Sequence, residues 1–138
     1  MFGSVYCEDN IITDLTIGGP EMTDFEPTYL SADGFRILGN LIGTNNRLTS
    51  IKLSDHILDY ASGMALAEGL SRSTTIENIT LWKDRIDDET GYGIVSYLLR
   101  IPTLRLINLG QNTLSIEGKD RIQALVASYN PAIVLRMF

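Results

Sequence analysis

The chain has 138 residues, of which 44% are hydrophobic and 20% charged, and its formal net charge is −6. This length and composition predict one folded domain spanning residues 1–138 and exclude a disordered low-complexity chain. Nucleic acid and anionic membranes are not expected partners, because binding them requires a basic face and the acidity is concentrated in residues 1–47.

Cysteine content and hydropathy bear on the compartment. Cys7 is the single cysteine, so neither an internal disulfide nor a thiolate zinc site can form. The opening MFGSVYCEDN lacks the basic and apolar regions of a secretory signal. No run of about 18 apolar residues is present to span a membrane. We therefore expect a cytoplasmic protein that makes no membrane contact.

The strongest pattern in the sequence is a 28-residue repeat. The segments LTSIKL, IENITL and LRLINL begin at Leu48, Ile76 and Leu104, and AIVLRM begins at Ala132. A further copy, ITDLTI, begins at Ile12, at a 36-residue interval before Leu48, so the first copy holds eight additional residues, predicted to include EMTDFEPT. Apolar residues at the first, fourth and sixth positions indicate a short strand in each copy.

Apolar residues at helical spacing follow each strand and indicate a helix in each copy. They form three columns, of which the last two lie four residues apart: Leu58, Ile86 and Leu114; Leu66, Ile94 and Ile122; and Leu70, Leu98 and Val126, joined from the first copy by Leu38 and Ile42. N-caps are predicted at Ser31 or Asp33 and at Asp87 or Asp88, and Asn130-Pro131 should end the last helix. The acidic run Asp87-Asp88-Glu89 is accordingly interpreted as the beginning of a helix rather than as a metal cluster.

The pattern LxxLxLxx(N/C)xL followed by a helix resembles the ribonuclease-inhibitor-like subfamily of leucine-rich-repeat proteins, over roughly residues 11–138. The resemblance implies an α/β leucine-rich-repeat solenoid, a short horseshoe arc with parallel strands on the concave face and helices on the convex face. Its repeats would start near 12, 48, 76 and 104, with a terminal strand from 132. Family members include inhibitors, GTPase activators and receptor sensor regions, so a protein–protein interaction module is expected. No motif identifies a residue for GTPase activation.

The Asn/Cys position of the family pattern departs from the consensus in three copies. It holds Pro20, His56, Asp84 and Asn112. Asn112 is the residue type that satisfies backbone groups in the turn, and His56 and Asp84 are interpreted as substitutes that hydrogen-bond there. For His56, the only histidine, this role is favoured over catalysis or metal binding.

Catalysis is not predicted. The single histidine and the single cysteine lie 49 positions apart, and neither GxxxxGK[ST] nor GxGxxG occurs. The carboxylate pairs fall in predicted turns and caps. We therefore expect no catalytic residue, no metal site and no cofactor.

Strand residues between the apolar positions predict the binding surface, since alternate side chains point to opposite faces of a sheet. Three rows should line the concave face: Asp14, Ser50, Asn78, Leu106 and Val134; Thr16, Lys52, Thr80, Asn108 and Arg136; Gly18, Ser54, Trp82, Gly110 and Phe138. The predicted partner-binding residues are Trp82, Phe138, Lys52, Lys83, Asn108, Arg136 and Thr80, of which the cations favour an acidic partner. Alternatively, Trp82 lies flat over Gly110 and shields the sheet.

Two further regions are candidates for interaction. The additional residues of the first copy place Glu21, Asp24, Phe25 and Glu26 in an acidic loop, where Phe25 can either bind or pack. The apolar last strand, 133–138, carries no polar cap, so either a longer array continues from it or a second copy of the chain covers it as a homodimer.

Overall fold

Strands alternate with helices in the computed structural model, which describes residues 12–18 and 30–138. The elements are β1 (Asp14–Gly18), α1 (Ala32–Thr44), β2 (Ser50–Ser54), α2 (Tyr60–Leu70), β3 (Asn78–Trp82), α3 (Asp88–Leu98), β4 (Leu106–Asn108), α4 (Ile116–Tyr129) and β5 (Val134–Arg136). All five strands pair in parallel, in chain order, within one sheet. The predicted α/β class is therefore confirmed.

The register of the sheet follows the sequence repeat. Ile51 pairs with Ile79 and Ile79 with Ile107, each at the 28-residue interval. Leu15 also pairs with Ile51, although the interval between them is the longer, 36-residue one. The N-cap of α1, Ser31, lies at the regular 28-residue interval before the N-cap of α2. The eight additional residues of the first copy consequently lie between β1 and α1, in agreement with the prediction.

Each of the four helices in the described ranges begins with the same kind of hydrogen bond. A side-chain oxygen of the N-cap accepts from the backbone N–H three residues later, and the caps recur at the repeat interval: Ser31, Asp59, Asp87 and Ser115. Asp88 and Glu89 occupy the first turn of α3, so the predicted helix-start role of this acidic run is confirmed. Asn130 is the C-cap of α4, as predicted.

The core lies between one face of the sheet and the helices. In the three central copies the first, fourth and sixth strand positions are all buried: Leu48, Ile51, Leu53, Ile76, Ile79, Leu81, Leu104, Ile107 and Leu109. The helix columns headed by Leu66 and Leu70 pack in the same cluster. Equivalent residues at the two ends, such as Leu15 and Leu135, are half-buried, and within the described part of the chain each has a neighbouring strand on one side only. Burial of each such side chain contributes about 1.5–3 kcal/mol.

The chain leaves the sheet through a left-handed residue after three of the strands. Asp55, Lys83 and Gln111 have φ of 62°, 55° and 60°, and they too recur at the repeat interval. Arg85 adds a second left-handed residue, with φ of 56°, in the turn after β3. No helix among the described residues is long and apolar enough to cross a membrane.

Candidate interaction surface

Thirteen of the fifteen residues in the predicted rows lie in strands, on the face of the sheet away from the core, and Gly110 and Phe138 follow β4 and β5. We name these fifteen residues the open sheet face. Pairing aligns Lys52 with Thr80, Thr80 with Asn108, and Asn108 with Arg136. Pairing likewise aligns Ser54 with Trp82. Except for Gly110, these residues are half-buried or exposed. The predicted alignment of the rows across the sheet is thus confirmed for the thirteen residues that lie in strands.

The open sheet face differs in charge from the chain as a whole. From β2 to its C-terminal edge it carries two cations, Lys52 and Arg136, both exposed, and no acidic residue. Its only acidic side chain, Asp14, lies on β1 at the other end of the described sheet. The residues that directly follow β2 and β3, Asp55 and Lys83, are both exposed and carry opposite charges. From β2 onward, the side chains of the three rows themselves therefore carry two positive charges and no negative one, in a chain of net charge −6.

Trp82 packs against Gly110. A methyl group placed on Gly110 would lie 2.6 Å from Cζ3 and 2.9 Å from Cε3 of the indole, so the six-membered ring covers this glycine. Gly110 is buried and Trp82 half-buried. The alternative prediction, in which Trp82 shields the sheet, matches this contact, and the remaining exposed part of the indole can still face a partner.

Phe138 is the most accessible aromatic residue of the open sheet face. Phe138 is 70% exposed to solvent. Its carbonyl oxygen accepts a hydrogen bond of 3.0 Å from the Gln111 N–H, which continues the pairing beyond β5 and fixes the backbone next to Gly110. This hydrogen bond holds the backbone of Phe138, and the side chain exposes apolar surface at the C-terminal edge of the sheet.

Asn108 and Thr80 are less available than predicted, since both are half-buried. The Asn108 Oδ1 accepts a 2.9 Å hydrogen bond from the Gly110 N–H. This bond ends β4 early and shapes the bend under Trp82. Asn108 therefore has a structural role that its position in the row did not reveal.

The turns beside the open sheet face are joined by a row of polar side chains. Asn112 Oδ1 accepts from the N–H groups of Asp84 (2.8 Å) and Ile86 (3.1 Å), while its Nδ2 donates to the Leu81 carbonyl (2.7 Å). Nε2 of the buried His56 lies 3.2 Å from the Ile17 carbonyl oxygen. The backbone N–H of His56 donates to Asp84 Oδ1 at 2.9 Å. The predicted hydrogen-bonding roles of His56 and Asp84 are confirmed.

Asp84 is the unusual member of this row. The residue is 0% exposed, and its Oδ2 has no hydrogen-bond partner. Burial raises the pKa of this carboxyl to about 7, against the lowering effect of the hydrogen bond from His56 and with a further increase from the nearby Asp55 carboxylate. Sequence reasoning assigned the hydrogen bond but not the second, unpaired oxygen.

Two threonines that sequence reasoning missed join successive copies. The Thr75 and Thr103 hydroxyls each donate a 2.7 Å hydrogen bond, to the carbonyls of Leu48 and Ile76. Both threonines directly precede the first position of a repeat. This recurring position, directly before the repeat, is the sequence feature that could have identified both threonines.

Several residues that the sequence singled out fall in the parts of the chain that the structure does not describe. Cys7, Pro20 and the acidic loop of Glu21, Asp24, Phe25 and Glu26 lie outside the residues that the structure describes. Within 12–18 and 30–138, no three His, Cys, Asp or Glu side chains come together to hold a metal ion.

Grooves lie at both ends of the described sheet, and the one at the β1 end is much the more apolar. The groove at the β1 end has a volume of about 290 Å³ and is lined mainly by Leu15, Leu38, Leu41, Ile42 and Leu48. The groove beside β5 has a volume of about 180 Å³ and includes Val126, Ile133 and Leu135.

No known protein-family model matches this sequence, and no curated protein is similar enough to match it.

Proposed function

We propose that the chain is a leucine-rich-repeat solenoid of the ribonuclease-inhibitor-like type, folded as one domain, that acts as a protein–protein interaction module. Support comes from features that recur with the 28-residue period: sheet register, helix N-caps and left-handed turn residues. Asn112 makes the turn contacts that the family pattern assigns to its Asn position. Stacked units of this kind expose a continuous sheet surface that suits a macromolecular partner.

The observation that carries this function is the chemistry of the open sheet face. Lys52, Arg136 and Phe138 are exposed, and within the three rows no acidic side chain accompanies them from β2 onward. Aromatic residues and arginine are enriched among the residues that contribute most to protein interfaces, and a backbone that is already ordered avoids part of the entropy cost of binding. The proposed partner is a protein segment that combines acidic and apolar side chains.

The test compares capture of cellular proteins by the wild-type chain with capture by Lys52→Glu/Arg136→Glu and by Phe138→Ala. We expect the captured partner to bind the charge-reversed variant at least tenfold more weakly, and the wild-type Kd to increase with salt. Arg47→Glu/Lys119→Glu is the matched control, because it makes the same charge change away from the open sheet face. If Lys52→Glu/Arg136→Glu and Arg47→Glu/Lys119→Glu bound the partner with equal affinity, the proposal would be contradicted.

Self-association is a second candidate, favoured by one observation. β5 is the edge strand at this end of the described sheet, its first residue Val134 is 48% exposed, and Phe138, two residues after it ends, is 70% exposed. An unpaired edge strand can pair with the same strand of a second copy. The self-association candidate predicts that the mass measured by sedimentation velocity rises with protein concentration. A monomer at high concentration would exclude it.

A further inference from the structure

His56, Asp84 and Asn112 occupy the same place in three successive turns. They recur at the 28-residue interval, and each is linked to the preceding turn or strand by a hydrogen bond. His56 and Asp84 are buried, and Asn112 is half-buried. Since the three environments are built in the same way, the contacts of one residue indicate what the others require.

Asn112 shows that this position requires both an acceptor and a donor. Its Oδ1 accepts two backbone hydrogen bonds from the preceding turn. Its Nδ2 faces the carbonyls of Leu81, Leu109 and Gly110, at 2.7, 3.0 and 3.3 Å. A carboxylate has the same shape but cannot donate.

Asp84 reproduces only the acceptor half. Its Oδ1 accepts from the His56 N–H, as Asn112 accepts from Asp84. The three carbonyls that Asn112 faces lie 31, 3 and 2 residues before it, and the same offsets from Asp84 give Leu53, Leu81 and Trp82. By this equivalence, the unpartnered Oδ2 of Asp84 corresponds to the donor nitrogen of Asn112. A proton on Oδ2 would turn it into that donor.

We propose that Asp84 is held as a neutral carboxylic acid in the folded protein, donating from Oδ2 to a strand-end carbonyl, and that loss of this proton loosens the turn after β3. In the ionised form Oδ2 would carry charge at a site that requires a donor, without water to solvate that charge. The turn thus acts as a pH-sensitive contact between the second and third repeats. It lies directly after Trp82, so the C-terminal part of the open sheet face would respond to the same proton.

The charged groups around Asp84 do not replace the missing donor. On the preceding turn, Asp55 raises the pKa of the Asp84 carboxyl and His56 donates only its backbone N–H to it. On the turn of Asp84 itself, Lys83 and Arg85 are exposed and make no ion pair with it. The following turn contributes the neutral Asn112 and Gln111.

Linkage fixes the sign of the effect. Burial raises the pKa of Asp84 from 3.8 to about 7, so between these values the folded state holds a proton that the unfolded state has lost. The contribution of Asp84 to the free energy of unfolding is therefore largest below pH 3.8 and decreases as pH rises towards 7. Above about pH 7 this contribution changes no further. For one proton, the unfolding equilibrium constant increases about tenfold per pH unit within this window.

The direct test is a carbon-13 NMR titration of the Asp84 carboxyl in the wild-type chain from pH 3 to 9. We expect its midpoint well above those of the exposed aspartates. A midpoint in their range would overturn the proposal without any variant being required.

Two reciprocal variants test the energetic consequence. Asp84→Asn supplies the donor permanently, so the ratio of wild-type to variant unfolding constants should increase more than tenfold between pH 5 and 8. Asn112→Asp should create a similar pH dependence one turn later. Asp55→Asn, an exposed neighbour, should retain the wild-type pH dependence with only a small displacement. A constant ratio for Asp84→Asn across this range would overturn the proposal.

Discussion

The α1–α2 and α3–α4 contacts occupy equivalent places in the repeat but are built from different atoms. Between α1 and α2 the backbones themselves touch. A methyl group on Gly39 would lie 2.6 Å from the Leu66 carbonyl oxygen, and one on Gly43 would overlap the Gly69 carbonyl. Gly69 in turn contacts the backbone of Gly39 and Asn40. No larger residue can be accommodated at these points.

Between α3 and α4 the contact is made by side chains. A methyl group on Gly91 would meet the Leu114 Cδ2 at 3.0 Å and the Ile122 Cδ1 at 3.2 Å. The Asp88 carboxylate accepts from both the backbone N–H and the hydroxyl of Ser115, the N-cap of α4. One repeat length is therefore compatible with both a rigid backbone contact and an adjustable one. The two contacts should respond differently to the same substitution.

The largest effect is expected for Gly43→Ala. The added methyl group meets a backbone carbonyl that cannot rotate away, so α1 and α2 must separate, at a cost of about 3 kcal/mol. Thermal unfolding should show Tm lowered by roughly 10 °C. Gly34→Ala, in the same helix, is the control. Its methyl group meets the flexible Leu30 side chain at 3.2 Å, and alanine is the better helix former. Equal losses for the two variants would contradict a backbone contact.

A smaller effect is expected for Ser115→Ala, which removes the N-cap of α4 and a partner of Asp88. Loss of the cap costs about 1 kcal/mol. The Ser115 hydroxyl and backbone N–H hold the pKa of Asp88 below its usual value of 3.8, and the hydroxyl has the larger effect. The variant loses the hydroxyl bond only, and the stabilising effect of that bond is present above this value and is lost as pH falls. Urea unfolding at neutral and at acid pH should show the difference between wild type and variant decreasing in acid. A difference that is constant with pH would show that the link to Asp88 contributes nothing.

The smallest effect is expected for Gly91→Ala. Contact with Leu114 and Ile122 costs about 1 kcal/mol if these side chains shift slightly, and the gain in helix propensity offsets it by a similar amount. The free energy of unfolding should therefore stay within about 0.5 kcal/mol of wild type. A loss as large as that of Gly43→Ala would show that α3–α4 is as rigid as α1–α2.

Features that depend on the repeat period could be predicted from the sequence. The buried strand positions, the helix columns and the caps at Ser31 and Asp87 follow from local spacing, and successive copies of the repeat reinforce one another. The α1–α2 contact could not be predicted in this way. Gly39, Gly43 and Gly69 have Ala67, Ser71 and Tyr97 at the next equivalent positions, so the period carries no signal of close approach.

For the candidate surface, the sequence predicted which residues share a face but not what each side chain does there. The alternation of strand residues placed Lys52, Trp82 and Arg136 on the open sheet face. The orientation of Trp82 over Gly110 depends on space left by another strand, which spacing does not encode. The unpaired oxygen of Asp84 likewise depends on which groups surround it in three dimensions.

The left-handed turn residues mark positions at which a substitution could increase the free energy of unfolding. Lys83, Arg85 and Gln111 adopt a backbone conformation that costs a side chain with a Cβ about 1 kcal/mol, and that asparagine and glycine tolerate better. Asp55 already uses a residue type suited to it. Since these positions follow the strands, an engineer could replace them with asparagine and use the stability gained to redesign the adjoining open sheet face.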